Sequence, residues 1–189
     1  NFTMLMKDLR QVLGDGLLLT FASAASAEYV DFTAVEPYVD FVNIMAYDMA
    51  TAPKHHSALY ESEISGGMTS DKAASAHMAA GVPAHKLVLG MPFYGRGSGR
   101  YADFNDFKDI KKDIEAYEIW DEKAQVPYIA DTDGTLIVGY DIPRSLKIKC
   151  WYIKANGLKG AMYWDYDGDD ADGTLRKTVA REILGRYEL

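Results

Sequence analysis

The segment VNIMAYD, residues 42–48, is an apolar run that ends in an aromatic and an acidic side chain. A similar apolar run returns in GAMYWDYDGD, residues 160–169, and in KLVLGMPFYGR, residues 86–96, where the charged residue after the aromatic ones is Arg96. A strand buried in a parallel sheet has a nearly continuous hydrophobic sequence, and the loops after such strands form the ligand-binding edge of α/β folds. The three runs therefore predict parallel strands whose aromatic and charged ends meet a ligand.

The composition is that of a globular domain with a substantial apolar core. Of the 189 residues, 48% are hydrophobic and 25% are charged, and a single domain is expected for this length. The formal net charge of -8 argues against nucleic acid as a partner, because that affinity depends on Lys and Arg neutralising phosphates. No apolar stretch is long enough to predict a membrane-spanning helix, and the single cysteine, Cys150, excludes an internal disulfide.

Helices and strands alternate along the first half of the chain. The sequence predicts an amphipathic helix at the start, with one apolar stripe made of Phe2, Leu5, Leu9, Val12 and Leu13. Strands are predicted over residues 17–21, 39–45 and 87–91. Between the last two strands, Thr69 or Ser70 is expected to cap a helix that Gly81 and Pro83 end.

A small α+β insertion is predicted over residues 98–141. It contains a charged helical piece, and the pair Asp133 and Gly134 between two β-rich runs is typical of a hairpin turn. The alternation then resumes with a helix from Pro143 and a strand over residues 159–164. Asp172 is expected to cap the last helix, whose predicted apolar stripe is Leu175, Val179, Ile183 and Leu184.

Such alternation implies parallel strands with right-handed crossovers, either in an open doubly wound sheet or in part of a barrel. A doubly wound nucleotide-binding sheet needs a G-x-G-x-x-G turn; Gly95 and Gly97 begin that pattern, but its last position is Arg100. A (β/α)8 TIM barrel places functional residues at the carboxyl ends of several strands, as seen here. The sequence favours the barrel, and supplies material for about half of the roughly 250 residues that a barrel takes.

Several motifs resemble the carboxyl-terminal half of family 18 glycoside hydrolases, the chitinases and their relatives. In the family's order they are VDFVNIMAYDM, HHSALY, GVPAHKLVLGMPFYGR, WDEKAQVPY and GLKGAMYWDYDGDD. The resemblance implies that the four predicted strands are barrel strands five to eight, with the insertion between the last two. The expected divisions are a barrel part over residues 1–97, the insertion over residues 98–141 and a second barrel part over residues 142–189.

The resemblance also implies a cofactor-free glycosidase that hydrolyses β-1,4 bonds of N-acetylglucosamine glycans such as chitin. In these enzymes the 2-acetamido group of the substrate is the nucleophile, so the protein supplies only one general acid. By resemblance, Tyr47 hydrogen-bonds the acetamido oxygen, Asp48 contacts the same sugar, and Trp164 stacks under it. The other substrate-binding residues implied are Met45, Met91 and Tyr94 in the pocket, Arg96 along the cleft, and Tyr140 and Asp141 in its wall.

No metal site is predicted, although two patterns suggest one. The adjacent residues His55 and His56 point apart on a strand and lack a third ligand, so a loop role is expected for them. The acidic run that starts at Asp165 lacks the Gly at the sixth position and the Glu at the twelfth that a calcium loop requires.

The proton donor of the family is the Glu of the signature Asp-x-x-Asp-x-Asp-x-Glu. A similar run of aspartates starts at Asp167, but its acid position is Thr174, whose hydroxyl cannot protonate a leaving group near neutral pH. The signature is therefore expected upstream of Asn1, on the amino-terminal half of the barrel, and the chain alone is expected to be inactive. Two alternatives stay open: a chitin-binding relative without the acid, and a half-barrel that needs its partner segment. Family habit predicts a secreted or periplasmic protein.

Overall fold

The computed structural model describes residues 1–185 as an α/β structure with two sheets. In chain order the strands are β1 (Thr20–Ala24), β2 (Phe41–Met45), β3 (Leu87–Pro92), β4 (Tyr94–Gly97), β5 (Phe104–Asp106), β6 (Ile119–Asp121), β7 (Val126–Ala130), β8 (Leu136–Gly139) and β9 (Gly160–Trp164). The helices are α1 (Phe2–Leu13), α2 (Phe32–Val35), α3 (Ser70–Ala79), α4 (Phe107–Tyr117), α5 (Pro143–Ala155) and α6 (Thr174–Leu184). Within residues 1–185, no helix is long and apolar enough to cross a membrane.

The first sheet is parallel and has the order β1-β2-β3-β9. Every residue of β3 is buried, as expected for a strand with neighbours on both sides and helices over the sheet. The predicted helix between β2 and β3 is confirmed, and the Thr69 hydroxyl at its N-cap accepts from the Lys72 amide. Because the strands are parallel, the carboxyl ends of β2, β3 and β9 lie at one edge.

The prediction of β1 over residues 17–21 is wrong by three residues. The strand begins at Thr20, and Leu17 and Leu18 are exposed. Two side chains form hydrogen bonds with the backbone of this segment. Arg10 Nη1 donates to the Leu17 carbonyl at 2.9 Å, and the Asp40 carboxylate accepts from the Leu19 amide at 2.6 Å. These bonds replace the strand pairing that the apolar run predicts.

The second sheet is antiparallel and has the order β5-β4-β8-β7-β6. The predicted hairpin turn joins β7 to β8, and Gly134 has a φ of 83°, a left-handed conformation that suits glycine. Strand β4, whose residues the sequence assigned to the first barrel part, pairs with β5 and β8 in this sheet. Buried apolar residues of both sheets, such as Leu89 and Ile129, belong to one core cluster.

Two helix details differ from the predictions. In α1 the buried residue is Met6, whereas Leu5 and Val12 are exposed, because the helix face that carries Arg10 is bound to Asp40 by an ion pair. In α6 the N-cap is Gly173 rather than Asp172.

The amides at the start of α6 are bound by carboxylates from further back in the chain. Asp170 accepts from the Thr174 amide, and Asp169 accepts from the amides of Leu175 and Arg176. These carboxylates lie near the positive end of the helix dipole and replace the expected cap. Leu184, the last residue of the predicted stripe, is exposed.

Candidate active site

Three strand ends bring the predicted site residues to one edge of the parallel sheet. Strand β2 is followed by Tyr47 and Asp48, strand β3 is followed by Tyr94, and Trp164 ends β9. Because β3 lies between β2 and β9, the strands β2 and β9 are about 10 Å apart at the usual strand spacing. The indole of Trp164 is exposed, with 55% of the residue accessible to solvent. The Tyr47 hydroxyl, the Asp48 carboxylate and this indole therefore lie at the same edge of the sheet.

Asp48 carries the negative charge of this edge. Its Oδ1 accepts from Tyr94 Oη at 2.8 Å and from Arg96 Nε at 2.7 Å, and its Oδ2 accepts from Arg96 Nη2 at 2.8 Å. Burial by itself would raise the pKa of Asp48, but the hydrogen bonds from Arg96 and Tyr94 hold that pKa well below its usual range. Asp48 is an anion at neutral pH and not a proton donor.

Tyr47 is the neutral donor beside this anion. Burial, assisted by the negative charge of Asp48, raises the pKa of Tyr47 to about 12, so its hydroxyl stays protonated at neutral pH. Its contact within the protein is weak, since Tyr47 Oη lies 3.9 Å from Met162 Sδ. The hydroxyl can therefore donate a hydrogen bond to a bound ligand.

A cavity of about 400 Å³ lies beside Tyr47, at the ends of β1 and β2. Its lining includes Ser26, Tyr29, Met45, Tyr47, Asp48 and Met68. Volumes of this order are usual for small-molecule sites, and the lining combines apolar side chains with a few polar groups, as such sites do. Met91, predicted to line the pocket, is fully buried in β3.

The Arg96 guanidinium is already engaged by protein carboxylates. Besides Asp48, it contacts Asp103, with Nη1 2.8 Å from Asp103 Oδ2. The Tyr94 ring stacks on Phe104 with centroids 4.3 Å apart, and the guanidinium lies over both rings. In this structure Arg96 therefore orients Asp48, and its contact with sugar oxygens stays a prediction.

Tyr140 and Asp141 do not join this cluster. Both are buried, and the Tyr140 hydroxyl has no hydrogen-bond partner within residues 1–185. Asp141 accepts from the hydroxyls of Ser57 and Ser145 and from the Lys149 ammonium, which is 2.7 Å away. Asp141 and Lys149 are fully buried side chains and form an internal ion pair beneath the site.

Two further residues shape the site and were not predicted to do so. His56, expected to have only a loop role, has its Nδ1 3.4 Å from the Asp48 amide nitrogen. Gly90 lies under the Tyr47 ring, so closely that a Cβ at this position would contact the ring. The sequence does not predict this contact, because Gly90 is one residue within an apolar run. The only signal for His56 in the sequence was its place in a pair of adjacent histidines in the loop after β2.

Gly90→Ala is expected to disturb Tyr47 directly. A Cβ at this position would lie 2.9 Å from Tyr47 Cε1 and 2.8 Å from Met162 Cε, and would collide with the Ile44 carbonyl oxygen. We expect a loss of about 1–3 kcal/mol in the free energy of unfolding, as for other overpacked sites. Urea denaturation measures this loss.

Gly160→Ala is the matched control, because a Cβ there has nothing within 4 Å and the residue lies on the neighbouring strand β9. Equal stability of the two variants would show that Gly90 does not make room for Tyr47.

Comparison with known proteins identifies the family. The model of glycosyl hydrolases family 18 matches residues 1–169. Chitinase A1 of Niallia circulans is 34% identical over 97% of this chain, and chitotriosidase-1 of Mus musculus is 30% identical over 93% of it. The chain spans 33% of the first of these proteins and 46% of the second.

Solved structures agree with this result. Chitinase ChiA74 from Bacillus thuringiensis has a TM-score of 0.86 at 28% identity, covering all of this chain and 40% of its own. A family 18 N-acetylglucosaminidase from Paenibacillus barengoltzii has a TM-score of 0.81 at 28% identity, covering 96% of this chain and 62% of its own. The likeness implies the TIM-barrel fold expected from the sequence. The chain therefore belongs to family 18 of the glycosyl hydrolases.

Proposed function

We propose that this chain forms the acetamido-binding part of a chitinase-type glycosidase that hydrolyses β-1,4 bonds of N-acetylglucosamine glycans with retention of configuration. The observation that carries the proposal is the pairing of a protonated Tyr47 hydroxyl with an anionic Asp48 at the strand ends. The names of relatives, a chitinase, a chitotriosidase and an N-acetylglucosaminidase, support this substrate class. They also favour an enzyme over a chitin-binding relative without activity.

In the proposed reaction the acetamido oxygen of the substrate forms a bond to the anomeric carbon as the bond to the leaving oxygen breaks. Tyr47 donates to that acetamido oxygen and holds it in position for attack. Positive charge develops on the sugar during this step, and the Asp48 carboxylate stabilises it from nearby. Water then opens the cyclic intermediate and restores the original anomeric configuration.

The general acid is proposed to be a Glu of the full-length protein, on a segment amino-terminal to the residues described here. Asp48 cannot serve, because its hydrogen bonds hold it as an anion. Thr174, at the acid position of the aspartate run, donates its hydroxyl to Asp170 at 2.6 Å and begins a helix. In the same proposal, β1, β2, β3 and β9 are barrel strands five to eight.

Hydrolysis of the N-acetylglucosamine tetramer by the full-length protein tests this function. The first product should have the β-configuration of the cleaved bond, observed by NMR before mutarotation. An α-configured first product, or no hydrolysis, would contradict the proposal.

Trp164→Ala is expected to weaken binding of this tetramer roughly tenfold or more, because the exposed indole offers a flat apolar surface to a sugar ring. Calorimetry in a Tyr47→Phe background, where turnover is suppressed, would measure the affinity.

Trp151→Ala is the matched control, since Trp151 has a similar exposure of 53% but lies on α5 with Lys147 over its ring. If the two tryptophan variants bind the tetramer equally well, Trp164 is not part of the sugar-binding surface.

A further inference from the structure

We propose that His56 is a positioning residue for Asp48: its uncharged imidazole accepts a hydrogen bond from the Asp48 amide and so fixes the turn that directs the Asp48 carboxylate into the site. This inference rests on the proposed function, in which Asp48 stabilises charge on the sugar. Nothing in the sequence pattern assigns His56 such a role. The geometry that supports it has three parts.

The first part is the backbone conformation of Asp48. Its φ is 55°, in the left-handed region that is uncommon for a residue with a side chain and that persists only where surrounding contacts hold it. Both amides of this turn are bound by His56: the Asp48 amide nitrogen is 3.4 Å from His56 Nδ1, and the Met49 amide donates to the His56 carbonyl at 3.0 Å. His56 therefore accepts hydrogen bonds from this turn through both its imidazole and its backbone carbonyl.

The second part is the tautomer of the imidazole. Nδ1 lies 3.5 Å from Asp48 Oδ1, but that oxygen already accepts from Tyr94 and Arg96, which occupy its two lone pairs. The remaining bond for Nδ1 is the one from the Asp48 amide, which requires Nδ1 to be the acceptor and places the proton on Nε2, a buried atom without a hydrogen-bond partner within residues 1–185.

The ring is also uncharged. Burial lowers the pKa of His56, against the opposing influence of the carboxylates of Asp48 and Asp141 and together with the charge of Lys149. An uncharged ring with an unprotonated Nδ1 is the form that can accept from an amide.

The third part is the rigidity of the segment that carries the ring. The residues on either side are anchored: His55 Nε2 is 3.2 Å from Asp121 Oδ2, and the Ser57 hydroxyl donates to Asp141 at 2.7 Å. The His56 ring is buried and packs against Tyr94, with centroids 5.3 Å apart. A side chain held this firmly can position its neighbour within the tolerance that catalysis demands.

Two substitutions test the proposal in the full-length protein, with the N-acetylglucosamine tetramer as substrate. His56→Leu fills the space but removes the acceptor, and should lower kcat about tenfold or more with a small change in KM, since Asp48 is displaced by a fraction of an ångström. His56→Asn should recover most of the loss, because its amide oxygen can take the place of Nδ1.

His77→Leu is the matched control, because His77 is equally buried but its ring contacts Ser23 and the Ala73 carbonyl rather than Asp48. Its kcat should stay within about threefold of the wild-type value, as expected for a residue that does not position the charged group. If His56→Leu is as active as the control, or if His56→Asn is as impaired as His56→Leu, the proposal is overturned.

A spectroscopic measurement on the wild-type protein needs neither a variant nor activity. Nitrogen-15 NMR of the histidine rings near neutral pH should show His56 with its proton on Nε2 and none on Nδ1. A protonated Nδ1 would overturn the proposal. Failure of the wild-type protein to hydrolyse the tetramer would instead count against the proposed function, and the NMR result would still decide how His56 binds Asp48.

Discussion

Replacing Tyr47 by Phe is expected to lower kcat for hydrolysis of N-acetylglucosamine oligosaccharides by roughly 10²–10³-fold, the usual effect of losing one preorganised donor at a reacting group. The hydroxyl is the only atom removed, and its contact within the protein is a weak one to Met162, so the fold should be retained. KM should change little, because the donor is needed most when the acetamido oxygen attacks. Steady-state kinetics on the full-length protein would measure both constants.

Tyr117→Phe is the control for this substitution, since Tyr117 is exposed at the end of α4 in the insertion. Its kinetic constants should equal those of the wild-type protein. A Tyr47→Phe variant with unchanged kcat would remove Tyr47 from the mechanism. A variant with raised KM and unchanged kcat would show that the hydroxyl contributes equally to ground-state and transition-state binding.

Replacing Lys149 by Met is expected to cost about 3–5 kcal/mol in the free energy of unfolding, as usual when one member of a buried ion pair is removed. Asp141 would keep its bonds from Ser57 and Ser145 but would lose the only cation within hydrogen-bond distance among the described residues. Adding Asp141→Asn should recover most of the loss, because the uncompensated charge is then gone. Urea denaturation of the three proteins would give the energies.

Lys147→Met on the same helix supplies the comparison. Lys147 is half-exposed and lies 4.0 Å from Glu182, so its loss should cost less than about 1 kcal/mol. If Lys149→Met lowers the free energy of unfolding no more than Lys147→Met does, the buried ion pair of Asp141 and Lys149 does not contribute to stability as predicted.

The strands that carry the site were predictable because their apolar runs are nearly continuous, a pattern typical of strands in parallel sheets. The runs ending at Met45, Pro92 and Trp164 are confirmed as neighbouring parallel strands. The start of β1 was not predictable, because Leu17 and Leu18 belong to an apolar run whose backbone is bound by Arg10 and Asp40. Such contacts depend on the folded path of the chain.

The site itself was predictable only in its exposed chemistry. Tyr47, Asp48 and Trp164 follow strand ends, and the family resemblance gave each an expected role. The residues that support these side chains, Gly90 and His56, were not predictable. They act through close packing and one hydrogen bond, which leave no periodic signal in the sequence. The same reason explains Asp141: the family resemblance implied a place in the wall of the cleft, whereas in the structure Lys149 neutralises Asp141 in the core.

The proposed reaction depends most on participation of the substrate acetamido group. The most direct test compares hydrolysis of the N-acetylglucosamine tetramer with hydrolysis of the same tetramer after complete removal of its acetyl groups, using the full-length protein. We predict rapid cleavage of the acetylated tetramer and no detectable cleavage of the deacetylated one, because the latter has no acetamido oxygen to attack the anomeric carbon. Comparable cleavage of both would contradict the proposed reaction, since the protein would then be supplying its own nucleophile.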